Sequence, residues 1–337
     1  EKWIVVTSVQ HPTEDVQRLA SLDEWTLVVV ADKKTPANWT WPNVHFLSVE
    51  AQEALNLQST SFTPYKSYTR KNIGHLYAIS KGAKFIYDTD DDNKPFGTGS
   101  LSFPFTGLCE RGWGYFTLHE QLFSGLLFNP YLHFGRKDMW PRGFPLEHID
   151  NHTHKYGSYR VCRKMKAAVV QQGIVANDPD MDAIYRILHT IPSRGLHEEF
   201  DRFAPPVTLA AGTFAPWNSQ NTLFSYKAFF GLILPTSVAF RVTDIWRSFY
   251  TQALLREIGE SVSFVPVNAI QQRNAHSYIS DFGEEIDVYT KAGVIVSFLN
   301  EWSCMIELAD LFVSRGFWGI EDAQLVRRWV ADLKAIG

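Results

Sequence analysis

No stretch of 18 apolar residues occurs in the 337-residue chain, so no segment reads as a membrane-spanning helix. Long basic runs are missing too and the net charge is −4, which removes a nucleic-acid polyanion from the expected partners. Cysteine is scarce. Cys109, Cys162 and Cys304 lack metal-binding spacing and leave room for at most one disulfide. There is no internal repeat, low-complexity tract or flexible linker. A signal peptide is also lacking: Glu1-Lys2 leads straight into a strand-like run, so the natural N-terminus and any membrane anchor on it are expected upstream of this stretch. What is abundant is apolar and aromatic content, 45% and 14%, enough for a sizeable core.

The first hundred residues alternate strand and helix patterns. Trp3–Thr7, Thr26–Ala31 and Val44–Val49 read as buried strands, and Glu14–Leu22 as a helix. Near-continuous apolar strands separated by helices indicate an α/β fold with a mostly parallel sheet covered on both faces. A helix is expected after Ser67 or Thr69 as cap, with Gly82 closing it. Residues 95–145 are rich in Gly, Pro and aromatics, the texture of loops over a pocket. A strand is expected around 169–174, a helix over Ala183–His189, and a helix over Ile245–Ile258 capped by Thr243 or Asp244 and ended by Gly259. The stretch from Val294 to Ile336 is mainly helical. The chain is therefore treated as one enlarged domain, with a nucleotide-sugar half (1–95), an acceptor half (96–293) and a helical extension (294–337).

The segment Phe85-Ile86-Tyr87-Asp88-Thr89-Asp90-Asp91-Asp92-Asn93-Lys94 carries the most information. A short apolar run ends in four aspartates within five positions. Carboxylates this close repel, and a hard divalent cation such as Mg²⁺ or Mn²⁺ relieves the repulsion while keeping coordination positions open for phosphate. D-x-D occurs twice, and Asp90 belongs to both. A solvated acidic turn, or an adventitious Ca²⁺ site, is the competing reading. Arg70 and Lys71 fall in the first turn of the preceding helix, against the macrodipole, where they either point into water or receive an anion. Asp32 also follows a strand, so it and Asp88–Asp92 are expected at the carboxyl edge of the sheet, where open α/β folds bind ligands.

The run S-Y-T-R-K-N-I-G-H-L-Y-A-I-S-K-G-A-K-F-I-Y-D-T-D-D-D-N (67–93) resembles the STELLO-type family of Golgi glycosyltransferases. The resemblance continues through N-P-Y-L-H-F-G (129–135), W-P-R-G-F-P-L (140–146), Q-Q-G-I (171–174), D-P-D-M-D-A-I (178–184), N-S-Q-N-T-L-F (218–224), R-V-T-D-I-W-R (241–247) and R-N-A-H (273–276). It implies a GT-A-type, Rossmann-like mixed sheet, a Golgi-lumen catalytic region behind an N-terminal membrane anchor (a type II membrane protein), and a link of the plant members to cellulose synthesis. Two sequons, Asn38-Trp39-Thr40 and Asn151-His152-Thr153, suit a secretory lumen. A weaker likeness to reversibly glycosylated polypeptides, which are UDP-arabinopyranose mutases, rests on R-V-T-D-I-W-R and D-M-D-A-I.

Roles follow from the needs of metal-dependent glycosyl transfer. Mn²⁺ or Mg²⁺ is expected on Asp90 with Asp88 or Asp92, and His276 is a candidate late ligand. Asp91 is assigned to ribose or donor sugar, Asp32 to base or ribose, and Arg70, Lys71 and Arg273 to the diphosphate. Asp244 is the leading acceptor-side general base or anchor, against a plain helix-capping role, with Asp180 and Asp182 as competing carboxylates. Trp113, Tyr115, Trp140 and Trp217 are candidates for stacking on sugar rings. His133, His148, His152 and His154 fit no standard zinc spacing. The leading expectation is a glycosyltransferase moving a sugar from a nucleotide sugar, UDP-linked, to a glycan or glycoconjugate acceptor. The alternatives are a sugar-nucleotide mutase and a non-catalytic lumenal adaptor that binds other glycan synthases, and a homo-oligomer or such a complex is the expected assembly.

Overall fold

The computed structural model describes residues 1–96, 101, 103, 112–117, 126–149, 157–162, 166–190, 195–272, 277–302 and 308–337, with the backbone alone in most of 112–117 and 157–162. The fold is a mixed, mostly parallel sheet flanked by helices, with a helical C-terminal region, as the alternating patterns indicated.

Its N-terminal part is a parallel block. Strands β1 (Lys2–Thr7), β2 (Trp25–Val30) and β3 (Val44–Leu47) pair in parallel, with α1 (Glu14–Ala20) and α2 (Val49–Ala54) in the connections. Both faces of β1 and β2 are buried, which is why they read as continuous apolar runs. Val5, Val28 and Val30 pack into the cluster on one face, and Ile4, Val6, Leu27 and Val29 into that on the other. Helix α3 (Lys71–Ser80) then leads to β4 (Phe85–Thr89), which pairs in parallel with β1. Ser67 does cap the entry, but to a 3-10 turn over Tyr68–Arg70 that runs into α3, and Gly82 turns the chain out at φ +81.

The remaining strands are β5 (Asn93–Pro95), β6 (Gly112–Thr117), β7 (Leu126–Leu127), β8 (Gly157–Cys162), β9 (Val170–Asn177), β10 (Val207–Leu209), β11 (Thr213–Phe214), β12 (Asn221–Ser225) and β13 (Val262–Gln271). The main sheet runs β3-β2-β1-β4-β12-β9-β13-β10-β6-β8, with β5 on β13 and a separate β7–β11 pair. Strand β12 is antiparallel to both β4 and β9, and β9 is parallel to β13. The carboxyl ends of β1, β2, β4, β9 and β13 and the start of β12 therefore meet on one edge. That register brings Ser8, Asp32, the aspartate loop, Asn177, Ser219 and Gln271 together from distant parts of the chain.

Short helices α4 (Pro130–His133) and α5 (Ala183–His189) precede α6 (Thr243–Glu257), α7 (Tyr278–Glu284), α8 (Ile286–Glu301), α9 (Leu308–Ser314) and α10 (Ile320–Ile336). Helix α6 buries Ile245, Trp246 and Phe249 against Ile295, Leu299 and Phe312 of α8 and α9. The capping expected of Thr243 and Asp244 is not observed. Val242 is the N-cap, Thr243 donates back to the Ala239 carbonyl, and Asp244 lies within the first turn. Helix α10 returns to the N-terminal block: the Asp332 carboxylate accepts from the backbone N–H groups of Gln58 and Ser59 at 2.8 and 2.9 Å.

Helix α3 can lie this close to the sheet because residue 74 is glycine. A Cβ there would come within 2.4 Å of Val30 Cγ2 and 2.7 Å of Val5 Cγ1. Gly74→Ala is expected to destabilise the protein by about 1–3 kcal/mol through overpacking, read as a lowered urea midpoint; an unchanged midpoint would show that Val5 and Val30 yield at no cost.

Candidate active site

Asp88 lies at the end of β4 with no exposure, and both its oxygens are engaged. Lys71 Nζ from α3 is 2.9 Å from Oδ1, and Arg247 Nη1 from α6 is 2.7 Å from Oδ2. Burial pushes the Asp88 carboxyl up, but Lys71 and Arg247 outweigh it and hold the group well below the usual carboxylate range. Lys71, equally buried, is shifted upward because Asp88 and Asp90 together outweigh the desolvation that would lower it. Beside them, burial pushes His75 down, which keeps its ring neutral 3.7 Å from Asp88. Asp88 was expected among the metal ligands. It is instead a buried counter-ion behind the site, because a cation stands against each of its oxygens.

Asp90, Asp91 and Asp92 leave the strand and face an open cleft of about 590 Å³, which Asp32 and Asp244 also line. Burial first, then Asp92, Asp88 and Asp91, push the Asp90 carboxyl up to about 7 against the pull of Lys71, whose Nζ is 3.4 Å from Oδ1. Its side chain is 40% exposed, so water screens part of that push. Burial raises Asp91 too, opposed by a hydrogen bond from Ser8. Asp92 accepts from Gln271 Nε2 at 2.8 Å. Among the described residues no three His, Cys, Asp or Glu side chains converge as a closed metal cage. The open carboxylates fit the other kind of site, in which Mg²⁺ or Mn²⁺ keeps waters and is held by one or two carboxylates plus substrate phosphates.

The other expected residues divide. Asp32 is on the cleft wall, but its carboxylate also accepts from the N–H groups of Lys33 at 2.6 Å and Ser67 at 3.1 Å, so the turn role and the cleft position coexist. Arg70 does not face the cleft. Its guanidinium is buried against Gln52 Oε1, at 2.9 and 2.6 Å, and donates to the Thr63 carbonyl at 3.1 Å, pinning the segment before α3. Lys71 is likewise turned inward, onto Asp88, Asp90 and the Thr89 carbonyl. The α3 cations resist the macrodipole by satisfying buried acceptors, and neither solvent nor an anion is needed to explain them. Arg273 and His276 lie outside the described residues, as do His152, His154 and the second sequon.

Asp244 does line the cleft, and Arg142 grips it. The Arg142 fork donates to Oδ1 at 3.1 Å and to Oδ2 at 2.9 Å, and its other edge holds Asp180 through three contacts of 2.8–3.1 Å. Asp244 also accepts from the Ser219 and Ile245 N–H groups. A carboxylate with both oxygens on a guanidinium is an anchor before it is a base. Asp180 is a counter-ion to Arg142, and Asp182 caps α5, accepting from the Tyr185 N–H at 2.8 Å and from Trp140 Nε1 at 2.5 Å. Trp217 is buried in the core and offers no face to a sugar, and the side chains of Trp113 and Tyr115 lie outside the described ones. His133 points at the Pro205 carbonyl, 2.9 Å away.

The pattern reading missed Arg142, Arg247, Tyr68 and Gln271. Arg142 and Arg247 stand in W-P-R-G-F-P-L and R-V-T-D-I-W-R, and the second had a readable signal: Asp244 and Arg247, three apart on a helix, share a face. Tyr68, between Ser67 and Thr69, lines the cleft with its ring edge-on to Phe240, and burial together with Asp244 keeps its hydroxyl protonated.

Comparison with known proteins agrees with this arrangement. Residues 241–337, which begin at Arg241 beside the cleft, match the family model described as STELLO glycosyltransferases. Over its whole length the chain is 32% identical to two proteins of Arabidopsis thaliana, "Probable glycosyltransferase STELLO1" and "Probable glycosyltransferase STELLO2". The chain is similar to the STELLO proteins along its whole length. It spans 45% of the length of each of these relatives, so the STELLO resemblance covers all of this chain but less than half of theirs.

Two outcomes test the electrostatics. Asp88→Ala leaves Lys71 and Arg247 buried without their counter-ion and is expected to cost about 3–5 kcal/mol in chemical denaturation, whereas Asp90→Asn costs little; equal losses would contradict the division into buried and open carboxylates. The Asp90 pKa is raised on folding, so its ionisation opposes the fold, and that contribution worsens as pH rises from the unfolded value through about 7. In chelator, Asp90→Asn should therefore gain more stability relative to the parent at about pH 8 than at about pH 5, and least below the unfolded value. A parallel pH dependence in the two proteins would refute the upward shift of Asp90.

Proposed function

We propose that the chain is a glycosyltransferase domain whose cleft takes a nucleotide sugar, UDP-linked, and transfers the sugar to a glycan acceptor. One observation carries the reading: Asp90, Asp91 and Asp92 open onto a cleft at the carboxyl edge of a Rossmann-like sheet, while every neighbouring ionic group behind them is paired. The STELLO resemblance and the names of the two relatives support it.

In this reading Asp90 and Asp92 hold Mn²⁺ or Mg²⁺. When bound, the ion neutralises the diphosphate of the leaving nucleotide. The β1 and β2 ends, with Ser8 and Asp32, receive the nucleoside, as ligand sites at strand carboxyl ends do. Tyr68 supplies a protonated hydroxyl and an aromatic wall, and Asp244, locked by Arg142, orients a sugar hydroxyl without moving. The acceptor oxygen bonds to the anomeric carbon as the carbon–oxygen bond to the diphosphate breaks. A Golgi-lumen location, an anchor upstream and association with other glycan synthases belong to the same proposal. Among the described residues no helix is long and apolar enough to cross a membrane.

Calorimetric titration with UDP is the test. Binding is expected in Mn²⁺ and to weaken by at least about tenfold, ~1.4 kcal/mol, in chelator or on Asp90→Ala. Equal affinity with and without the ion would overturn the metal bridge. Arg70→Gln should leave UDP affinity unchanged, since its fork is committed to Gln52 and Thr63. Isomerisation of a UDP-sugar without an acceptor would point to the mutase instead.

A further inference from the structure

Asp244 cannot readily collect the proton that an acceptor hydroxyl must lose, because Arg142 occupies both its oxygens. A second cavity, of about 520 Å³, lies on the other side of the aspartate loop. Gln10, Asp91 and Asp92 are walls of both cavities. On its far wall stands His197, an exposed side chain.

The orientation of His197 can be deduced atom by atom. Asn177, at the end of β9, turns its Nδ2 to the Gln271 carbonyl at 2.7 Å. A carbonyl only accepts, so the amide cannot be reversed, and Oδ1 must face His197 Nδ1, 2.6 Å away. Nδ1 therefore carries the hydrogen, and in the neutral ring Nε2 keeps a free lone pair. The frame is rigid. Asn177 and Glu198 exchange backbone hydrogen bonds of 2.8 and 2.9 Å, which fixes the residue next to His197. Asn177 sits at φ +72, a left-handed conformation that asparagine adopts more readily than other residues with a side chain. The end of the neighbouring strand β13 reaches the acidic loop, because Gln271 donates to Asp92 while its own Oε1 accepts from Gln220.

We propose that this second cavity is the acceptor lobe and that His197 Nε2 is the general base of the transfer; the assignment rests on the donor reading above. The acceptor oxygen forms its bond to the anomeric carbon, the bond from that carbon to the diphosphate oxygen breaks with its electron pair leaving on the diphosphate, and the hydroxyl proton passes to Nε2. The walls define the acceptor class. Asp15, Asp91, Asp92 and Asp178 line the lobe with the amides of Gln10 and Gln272 and one cation, Lys94, which lies 3.7 Å from Asp15. With Asp15 facing Lys94 and Asp178 paired to Arg186, the carboxylates of Asp91 and Asp92 remain to bind hydroxyls and repel carboxylates. The acceptor is a neutral, hydroxyl-rich saccharide.

The experiment uses protein labelled with ¹⁵N in histidine, with UDP and Mn²⁺ bound. The His197 ring is expected as the Nδ1–H tautomer, and neutral hexose oligosaccharides are expected to move the Nε2 resonance while uronate oligosaccharides do not. Asn177→Gly keeps the left-handed backbone and removes the amide, so the tautomer should become mixed. With UDP-linked sugars and the same neutral oligosaccharides, His197→Gln should lower kcat by about 10²–10⁴-fold and leave Mn²⁺-dependent UDP affinity intact. An Nε2–H tautomer, no response to any neutral oligosaccharide, a preference for uronates, or full turnover in His197→Gln would each overturn the proposal. Failure of the parent protein to bind UDP would instead strike the donor reading, which the UDP titration reads separately.

Discussion

The fold hangs on a carboxylate that never sees solvent. Asp88 ends β4 in the sheet, yet its partners arrive from two helices far apart in sequence, Lys71 of α3 and Arg247 of α6. Desolvating three charges is costly, and the return depends on good geometry and on satisfying what remains of each group. Here Arg247 also donates to Ser219 Oγ and lies over the Phe224 ring, and Lys71 also donates to the Thr89 carbonyl. The trio thus locks α3, β4, β12 and α6 at fixed distances. Gly74 allows α3 the close approach that the Lys71 contact requires.

From that lock the contacts run to the far wall of the cleft through Ser219, whose Oγ accepts from Arg247 and whose N–H donates to Asp244. Asp180 pairs with Arg142, Arg142 with Asp244, and Arg247 with Asp88, which pairs with Lys71. Asp180, Asp244 and Asp88 are matched by Arg142, Arg247 and Lys71, three charges against three. The acidic loop is left over. Asp90 touches Lys71 only at 3.4 Å, on an ammonium already shared, and its carboxyl is driven upward by burial and then by the neighbouring aspartates. Around the cleft the paired charges cancel, and net negative charge is left on the loop that faces it. That is the electrostatic condition for attracting a divalent cation, whose own charge then reverses the sign presented to a diphosphate.

Much of this was legible in residue patterns, and the limits are physical. The parallel block could be read because β1 and β2 are buried on both faces and leave an uninterrupted apolar signature. Helix α5 was read at its observed bounds, since Asp182 is a good N-cap placed just before a helical run. The aspartate loop was visible because like charges in succession are rarely structural. Direction was not visible. Arg70 and Lys71 are adjacent cations, and nothing in their order tells that one pins Gln52 and the other reaches Asp88, because their acceptors come from other elements. Asp244 looked like a cap for the same reason: short-range rules see the helix start and cannot see Arg142, about a hundred positions away in the chain.

The same distinction bears on how the site divides its labour. A residue that must hold still gains from being tied on every side, as Asp244 is. A residue that must exchange a proton needs one side tied and one side free. Among the described groups on the two cavities, His197 meets the second condition through a hydrogen bond whose polarity is dictated by a backbone carbonyl. Sequence alone gave it no distinction, being one of eleven histidines in a loop-like stretch. What singles it out is the hydrogen bond to Asn177, whose place at the end of β9 the ladder to β13 maintains. The edge that assembles the acidic loop therefore also aims the imidazole, so the two functions are coupled through one sheet and not through contact with each other.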